Sequence, residues 1–190
     1  MTKNIMIVGV GGQGTLLASK LLGRVLLEGG WDVKVSEVHG MSQRGGSVVT
    51  YVRYGEKVYS PVIDRGEADV IMAFELLEAA RWVSYLKKGG VIVTNTQQIN
   101  PMPVITGAAA YPEDLTEKLQ AAGARVDAAD FLSMAQEAGS PKAVNIALLG
   151  RVSRSFPEIP EETWLAAIEK TVPEKFLEMN RKAFLLGRGE

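Results

Sequence analysis

Four apolar residues, Ile5-Met6-Ile7-Val8, run straight into Gly9-Val10-Gly11-Gly12-Gln13-Gly14, and no other stretch of the chain restricts its fold as much. A short continuous apolar run reads as a strand buried on both faces, which belongs in the middle of a parallel sheet. From Thr15 to Glu28 the spacing turns helical, with Gly14, Ala18, Leu21 and Val25 on one face and Gly29-Gly30 as the stop. The G-x-G-x-x-G spacing therefore falls on a strand-to-helix turn. There, glycines let the backbone turn tightly and bring its N–H groups and the positive end of the helix dipole up to a phosphate or other anion. Thr15-Leu16 stands where a nucleoside-triphosphate loop needs Lys followed by Ser or Thr, which sets that chemistry aside. Two readings of Gly9, Gly11, Gly12, Gln13 and Gly14 stay open at this point: contact with a cofactor or anion, or helix–strand packing alone.

Residues 31–38 read as a second strand. Glu37 near its end lies about 20 residues past the loop, the place of a ribose-binding acid in dinucleotide folds; capping of a local turn is the competing role. The pattern then leaves that fold. Residues 47–54 alternate in strand fashion, Gly55-Glu56 can make a tight turn and 57–60 return, which spells an inserted antiparallel hairpin. Strands follow at 69–74 and 91–96, with a helix over 75–86 ended by Lys87-Lys88-Gly89-Gly90 between them. A helix over 112–122 and a short edge strand at 125–127 come next. The remainder reads as helices over 129–138, 143–155, 161–171 and 174–186, separated by prolines. The expected architecture is a single α/β domain over 1–190. It has a Rossmann-like, mostly parallel sheet with an inserted antiparallel hairpin, and a helical C-terminal extension over 143–190.

Composition removes several function classes. Lys plus Arg total 21 against 22 Asp plus Glu, for a net charge of -1, which argues against a dedicated nucleic-acid or membrane-surface binder. There is no cysteine, so the chain offers no ligand for a conventional iron–sulfur cluster, no disulfide and no thiol nucleophile. His39 is the lone histidine, which argues against a self-contained histidine-rich zinc site. The few apolar residues ahead of the first glycines are too short for a signal-peptide core, so a cytoplasmic location is expected.

The segment Glu37-Val38-His39-Gly40-Met41-Ser42-Gln43-Arg44-Gly45-Gly46-Ser47 begins at the carboxyl end of the second strand, close to where open α/β sheets hold their ligands. A carboxylate, an imidazole, an amide and a guanidinium among glycines suit an anion or a partner's backbone better than a buried core. His39 titrates near neutrality in principle, although a lone histidine more often serves as a hydrogen-bonded turn residue. Gly45 and Gly46 would let a ligand or a neighbouring chain approach Arg44 closely; an exposed loop arginine is the plainer alternative.

Taken together, the opening Ile-Met-Ile-Val-Gly-Val-Gly-Gly-Gln-Gly and the stretch from Ser36 to Ser47 resemble the gamma-type subunits of 2-oxoacid:ferredoxin oxidoreductases, over most of the chain. The Glu-Val-His-Gly-Met-Ser-Gln-Arg-Gly-Gly motif points to the arylpyruvate branch, the beta-type subunits of indolepyruvate:ferredoxin oxidoreductases. The resemblance implies a heteromeric enzyme that decarboxylates a 2-oxoacid on thiamine diphosphate, passes electrons through iron–sulfur clusters to ferredoxin and forms an acyl-coenzyme A. It further implies that thiamine diphosphate, Mg and the 4Fe-4S clusters sit on a large partner subunit, since this sequence lacks both cysteines and the Gly-Asp-Gly that opens the usual thiamine diphosphate motif. For this chain it leaves support of assembly and handling of coenzyme A, with no catalytic residue and no metal of its own. The sites expected to face coenzyme A or the partner are Gly9, Gly11, Gly12, Gln13, Gly14, Glu37, His39, Gln43, Arg44, Gly45 and Gly46. The alternatives are a stand-alone Rossmann-like protein binding NAD(P) or flavin, and an assembly module without a ligand. Replacing Arg44 with Ala should raise the KM for coenzyme A in the assembled enzyme; an unchanged KM with normal assembly would remove that role.

Overall fold

The computed structural model describes residues 2–37, 42 and 45–189. Six strands form one sheet in the spatial order β2 (Asp32–Glu37), β3 (Ser47–Gly55), β1 (Lys3–Val10), β4 (Ala68–Ala73), β5 (Leu86–Asn95) and β6 (Arg125–Ala129). β1, β4, β5 and β6 run parallel, whereas β3 is antiparallel to both of its neighbours. The central run Ile5-Met6-Ile7-Val8 is fully buried, as a strand covered on both faces must be.

Alternation along the strands divides the core into two layers. Ile5, Ile7, Val52, Met72 and Phe74 pack against α1 (Thr15–Glu28), α5 (Phe131–Ala138), α6 (Val144–Ser153), α7 (Glu161–Glu169) and α8 (Leu177–Arg188). Met6, Val8, Val49, Ile71 and Ile92 meet the smaller cover of α2 (Leu76–Trp82) and α4 (Leu115–Ala121), with the single turn α3 (Met102–Ile105) in the connection from β5 to α4. The three α-helices after residue 143 thus supply three of the five that cover the larger face: Trp164 and Phe184 are buried in the same cluster as Ile5 and Ile7.

The antiparallel hairpin exists, but its arms are β2 and β3. The returning strand expected at 57–60 does not form. β3 finds its ladder partners on both sides, in β1 and β2, so residues 57–60 have no free edge to join. The Val58 amide instead donates to Asp32 Oδ2 at 2.9 Å, while Lys34 binds Oδ1 at 2.6 Å. Those two contacts, the lysine first, hold the Asp32 carboxyl at about 2, below its ordinary 3.8.

A second difference lies at 86–91. Lys87-Lys88-Gly89-Gly90 does not end a helix; α2 closes at Trp82, a short 3-10 turn follows, and β5 already starts at Leu86. Ala68 pairs with Leu86 but Val70 pairs with Val91, so β5 carries extra residues in a bulge. A side chain at Gly90 would force its neighbours to shift, because a Cβ would lie 2.9 Å from Leu86 Cδ1 and 3.0 Å from the carbonyl oxygens of both Ala68 and Asp69.

α6 and α8 cross with nothing between them. A Cβ on Gly187 would lie 1.8 Å from the Ala147 carbonyl oxygen, and one on Gly150 would lie 2.1 Å from that of Phe184. Two reciprocal glycines therefore fix a backbone-to-backbone crossing beneath the core aromatics. Gly187→Ala should force the helices apart and lower the free energy of unfolding by about 3 kcal/mol, the upper end for overpacking, measured by urea denaturation. A loss below about 1 kcal/mol would mean that the crossing is slack.

Candidate functional site

In an open α/β sheet, ligands gather at the carboxyl ends of the strands where successive connections leave in opposite directions. Here that point lies between β1, whose crossover α1 leads to β2 on one side, and β4, whose connection through α2 leads to β5 on the other. Both sequence motifs arrive there. β1 and β3 pair from Lys3↔Tyr54 to Val10↔Ser47, which sets the glycine turn against the residues just before β3. The Gly11 amide donates to the Gly46 carbonyl at 2.8 Å and closes the junction.

The glycines divide their work. Gly9 is a packing residue: a Cβ there would stand 2.9 Å from Phe74 Cβ and 3.0 Å from Gln13 Oε1. Gln13 is a clasp. Its Oε1 accepts from the Val10 amide at 2.7 Å, and its Nε2 donates to the Phe74 carbonyl at 3.1 Å, which pins the ends of β1 and β4 together. Gly14 has φ +87 and forms the N-cap of α1; a Cβ there would press on Asn145 Nδ2 at 2.8 Å, so it serves the contact with α6. Gly12 differs from these, because at φ +100 it faces open space with nothing within 4 Å of a Cβ. Gly11, Gly12 and Gly14 line a cavity of about 290 Å³ together with Thr15, Leu16, Val48 and Thr50.

Glu37 does not sit where a dinucleotide fold places its ribose acid. β3 separates β2 from β1, so Glu37 is displaced by two strand spacings, roughly 10 Å, instead of one. Ser19 Oγ on α1 donates to its Oε1 at 2.6 Å. Gly45 and Gly46 line a neighbouring cavity of about 310 Å³. Gly46 is confined, since its Cβ would lie 2.9 Å from Ser42 Cα, while Gly45 has φ +91 and open space around it. His39, Gln43 and Arg44 lie outside the described residues.

That second cavity brings in side chains that sequence reasoning missed. Glu75 and Glu78, both buried, line it beside Ser47 and Arg81. Glu75 is the N-cap of α2 and accepts from the Glu78 amide at 2.9 Å, from the Ile99 amide at 3.2 Å and from the Tyr111 hydroxyl. Glu78 accepts from Ser47 Oγ and, at 3.1 Å, from Arg81 Nε. Burial first, and then the Glu75 carboxylate, push the Tyr111 hydroxyl far above its ordinary value, so it remains a donor throughout the physiological range. The available signal was positional: Phe74-Glu75 closes a buried strand and opens a helix, the same placement that gave the glycine turn its weight. Three donors, one from α2 and two from the connection after β5, converge on Glu75 and floor the β1–β4 junction. Among the described residues no group of three or more His, Cys, Asp or Glu side chains can hold a metal ion, and no helix is long and apolar enough to cross a membrane.

With this geometry in hand, comparison with known proteins gives a consistent picture. The profile of the family described as pyruvate ferredoxin/flavodoxin oxidoreductase matches residues 4–190. An indolepyruvate oxidoreductase subunit IorB from Thermococcus kodakarensis is 46% identical over 189 residues, 97% of this chain and 93% of that one. Among solved structures, the gamma subunit of a keto/oxoacid ferredoxin oxidoreductase from Geobacter sulfurreducens superposes with a TM-score of 0.72 at 24% identity, over 97% of this chain and 95% of that one. A 2-oxoglutarate:ferredoxin oxidoreductase from Magnetococcus marinus, solved with 2-oxoglutarate, coenzyme A and succinyl-CoA bound, gives 0.72 at 22% identity over 98% of this chain and 30% of that much longer one.

Glu75→Gln keeps one acceptor oxygen but turns an NH2 group toward donors, and should cost about 2 kcal/mol of stability. Tyr111→Phe should cost about 1 kcal/mol. Chemical denaturation of both variants checks the pair, and a neutral Glu75→Gln would refute the convergence of donors on this carboxylate.

Proposed function

The chain belongs to the pyruvate ferredoxin/flavodoxin oxidoreductase family, and from that premise we propose that it is the small subunit of a heteromeric indolepyruvate (arylpyruvate):ferredoxin oxidoreductase, which oxidatively decarboxylates 2-oxoacids to acyl-coenzyme A. One observation carries the reading. The 46% identity to an IorB subunit extends over 97% of this chain, well beyond the glycine turn that many α/β proteins share. The side chains present do not fit the redox groups of such an enzyme: a sequence without cysteine supplies no thiolate for an iron–sulfur cluster, and it contains no Gly-Asp-Gly. Decarboxylation and electron transfer to ferredoxin therefore fall to a larger partner subunit.

What this chain contributes is a docked framework and a place for the phosphates of coenzyme A. The cavity beside Gly12 supports the second role: it opens at the N-terminus of α1, where the helix dipole and the first-turn amides favour an anion, and its open side needs no side chain moved. Arg44, in the segment that leads to Gly45 and Gly46, adds the cation a phosphate would need. The stand-alone NAD(P) or flavin reading loses its main support, because β3 occupies the place next to β1 and Ser19 engages Glu37.

The test is reconstitution. The purified chain alone should neither oxidise indolepyruvate nor bind NAD(H). Combined with its large subunit, it should support indolepyruvate-dependent, coenzyme A-dependent reduction of a viologen dye. Turnover by the lone chain, or an equal rate from the large subunit without it, would overturn the reading.

A further inference from the structure

At the other end of the sheet, where the parallel strands begin, lies a cavity of about 580 Å³ that has no part in the site described above. Lys3 comes from the start of β1, Asp69 from β4, Lys87 from the β5 bulge and Arg125 from the first residue of β6, with Arg151 and Arg154 added by the end of α6. Five cations thus share one recess with only two carboxylates, Asp69 and Asp127, in a chain whose net charge is -1.

Internal pairing does not use up this charge. Asp69 accepts from the Asn4 amide at 2.8 Å and from Lys87, with Lys3 at 3.9 Å. Arg151 is committed to the fold, since it donates to Asp127 at 2.9 Å and to the Gly187 carbonyl at 2.8 Å. The side chains of Arg125 and Arg154 make no hydrogen bond or ion pair among the described residues, and both are exposed. The negative end of the α6 dipole accounts for a cation at Arg154, but not for Arg125, which stands on a different element. Like charges held in one concavity repel unless an anion joins them. The β5 bulge makes the recess: it throws Lys87 back over Asp69, and Gly89 and Gly90 line the wall. Bulges that re-aim a side chain are concentrated beside functional sites.

We propose that this recess is a second anion site, which takes a phosphate-bearing small molecule between Arg125, Arg154 and Lys87. Guanidinium forks match phosphate oxygens, and the volume suits a diphosphate or a nucleotide. The cations converge on a hollow instead of spreading over a flat face, which favours a small ligand over an acidic protein surface.

Calorimetry on the full chain at constant ionic strength tests the proposal, with inorganic pyrophosphate, adenosine diphosphate and polyglutamate as probes. Pyrophosphate should bind at the recess, as a component of the isotherm separate from any at the glycine turn. R125Q/R154Q should weaken that binding by about tenfold or more, whereas K20Q/R24Q, which removes equal charge from the face of α1, should leave it unchanged. Tighter binding of adenosine diphosphate than of pyrophosphate would assign the site to a nucleotide, and equal binding to the phosphates alone. Should R125Q/R154Q fail to fold, R125Q alone, at the exposed start of an edge strand, should still weaken binding several-fold. No pyrophosphate binding, an equal loss in both double variants, or binding of polyglutamate alone would overturn the proposal.

Discussion

Eight consecutive residue pairs between β1 and β3 decide where the rest of the protein goes. Side chains on a strand alternate with period two, so this register cannot slip without turning Val49 and Val52 out of the two cores they fill. Once it is set, the glycine turn and the start of β3 must meet, and α1 has to carry the chain over β3 before β2 can begin. The Gly11–Gly46 hydrogen bond and the Gln13 clasp then lock the junction. A turn that in a dinucleotide fold would present several amides to a ligand here gives part of its capacity to its own chain, and only the Gly12 side stays open.

Local patterns carried much of this architecture. Ile5–Val8 announced a doubly covered strand, the spacing from Thr15 to Glu28 announced α1, and the alternation from Ser47 onward announced an antiparallel element. Pairing partners were less accessible, since alternation says that a strand has two faces and not which strand lies beside it. Alternation alone therefore puts residues 57–60 in a ladder position that β2 holds. Lys87-Lys88-Gly89-Gly90 has the composition of a helix end, and only the neighbouring β4 register reveals a bulge.

The candidate site was legible in the same uneven way. Backbone-determined residues such as Gly9, Gly12 and Gly14 could be picked out because a strand-to-helix turn needs them. Glu75 and Tyr111 could not, because their connection spans 36 positions and forms only after β4, α2 and the segment following β5 have assembled. The same holds for the basic recess, whose cations come from Lys3 to Arg154 and acquire a common environment only through the order of the strands.

Helices separated by layers of side chains can slide, because the interdigitated groups change rotamer as they pass. The crossing of α6 and α8 has no such layer. At Gly150 and Gly187 carbonyl oxygens sit where any lubricating methyl would go, so the two helices travel as one strut. Asn145, whose Nδ2 donates to the Gly14 carbonyl at 3.3 Å, and Arg151 with Arg154 thus stand at opposite ends of one element that has no room to shift against α8.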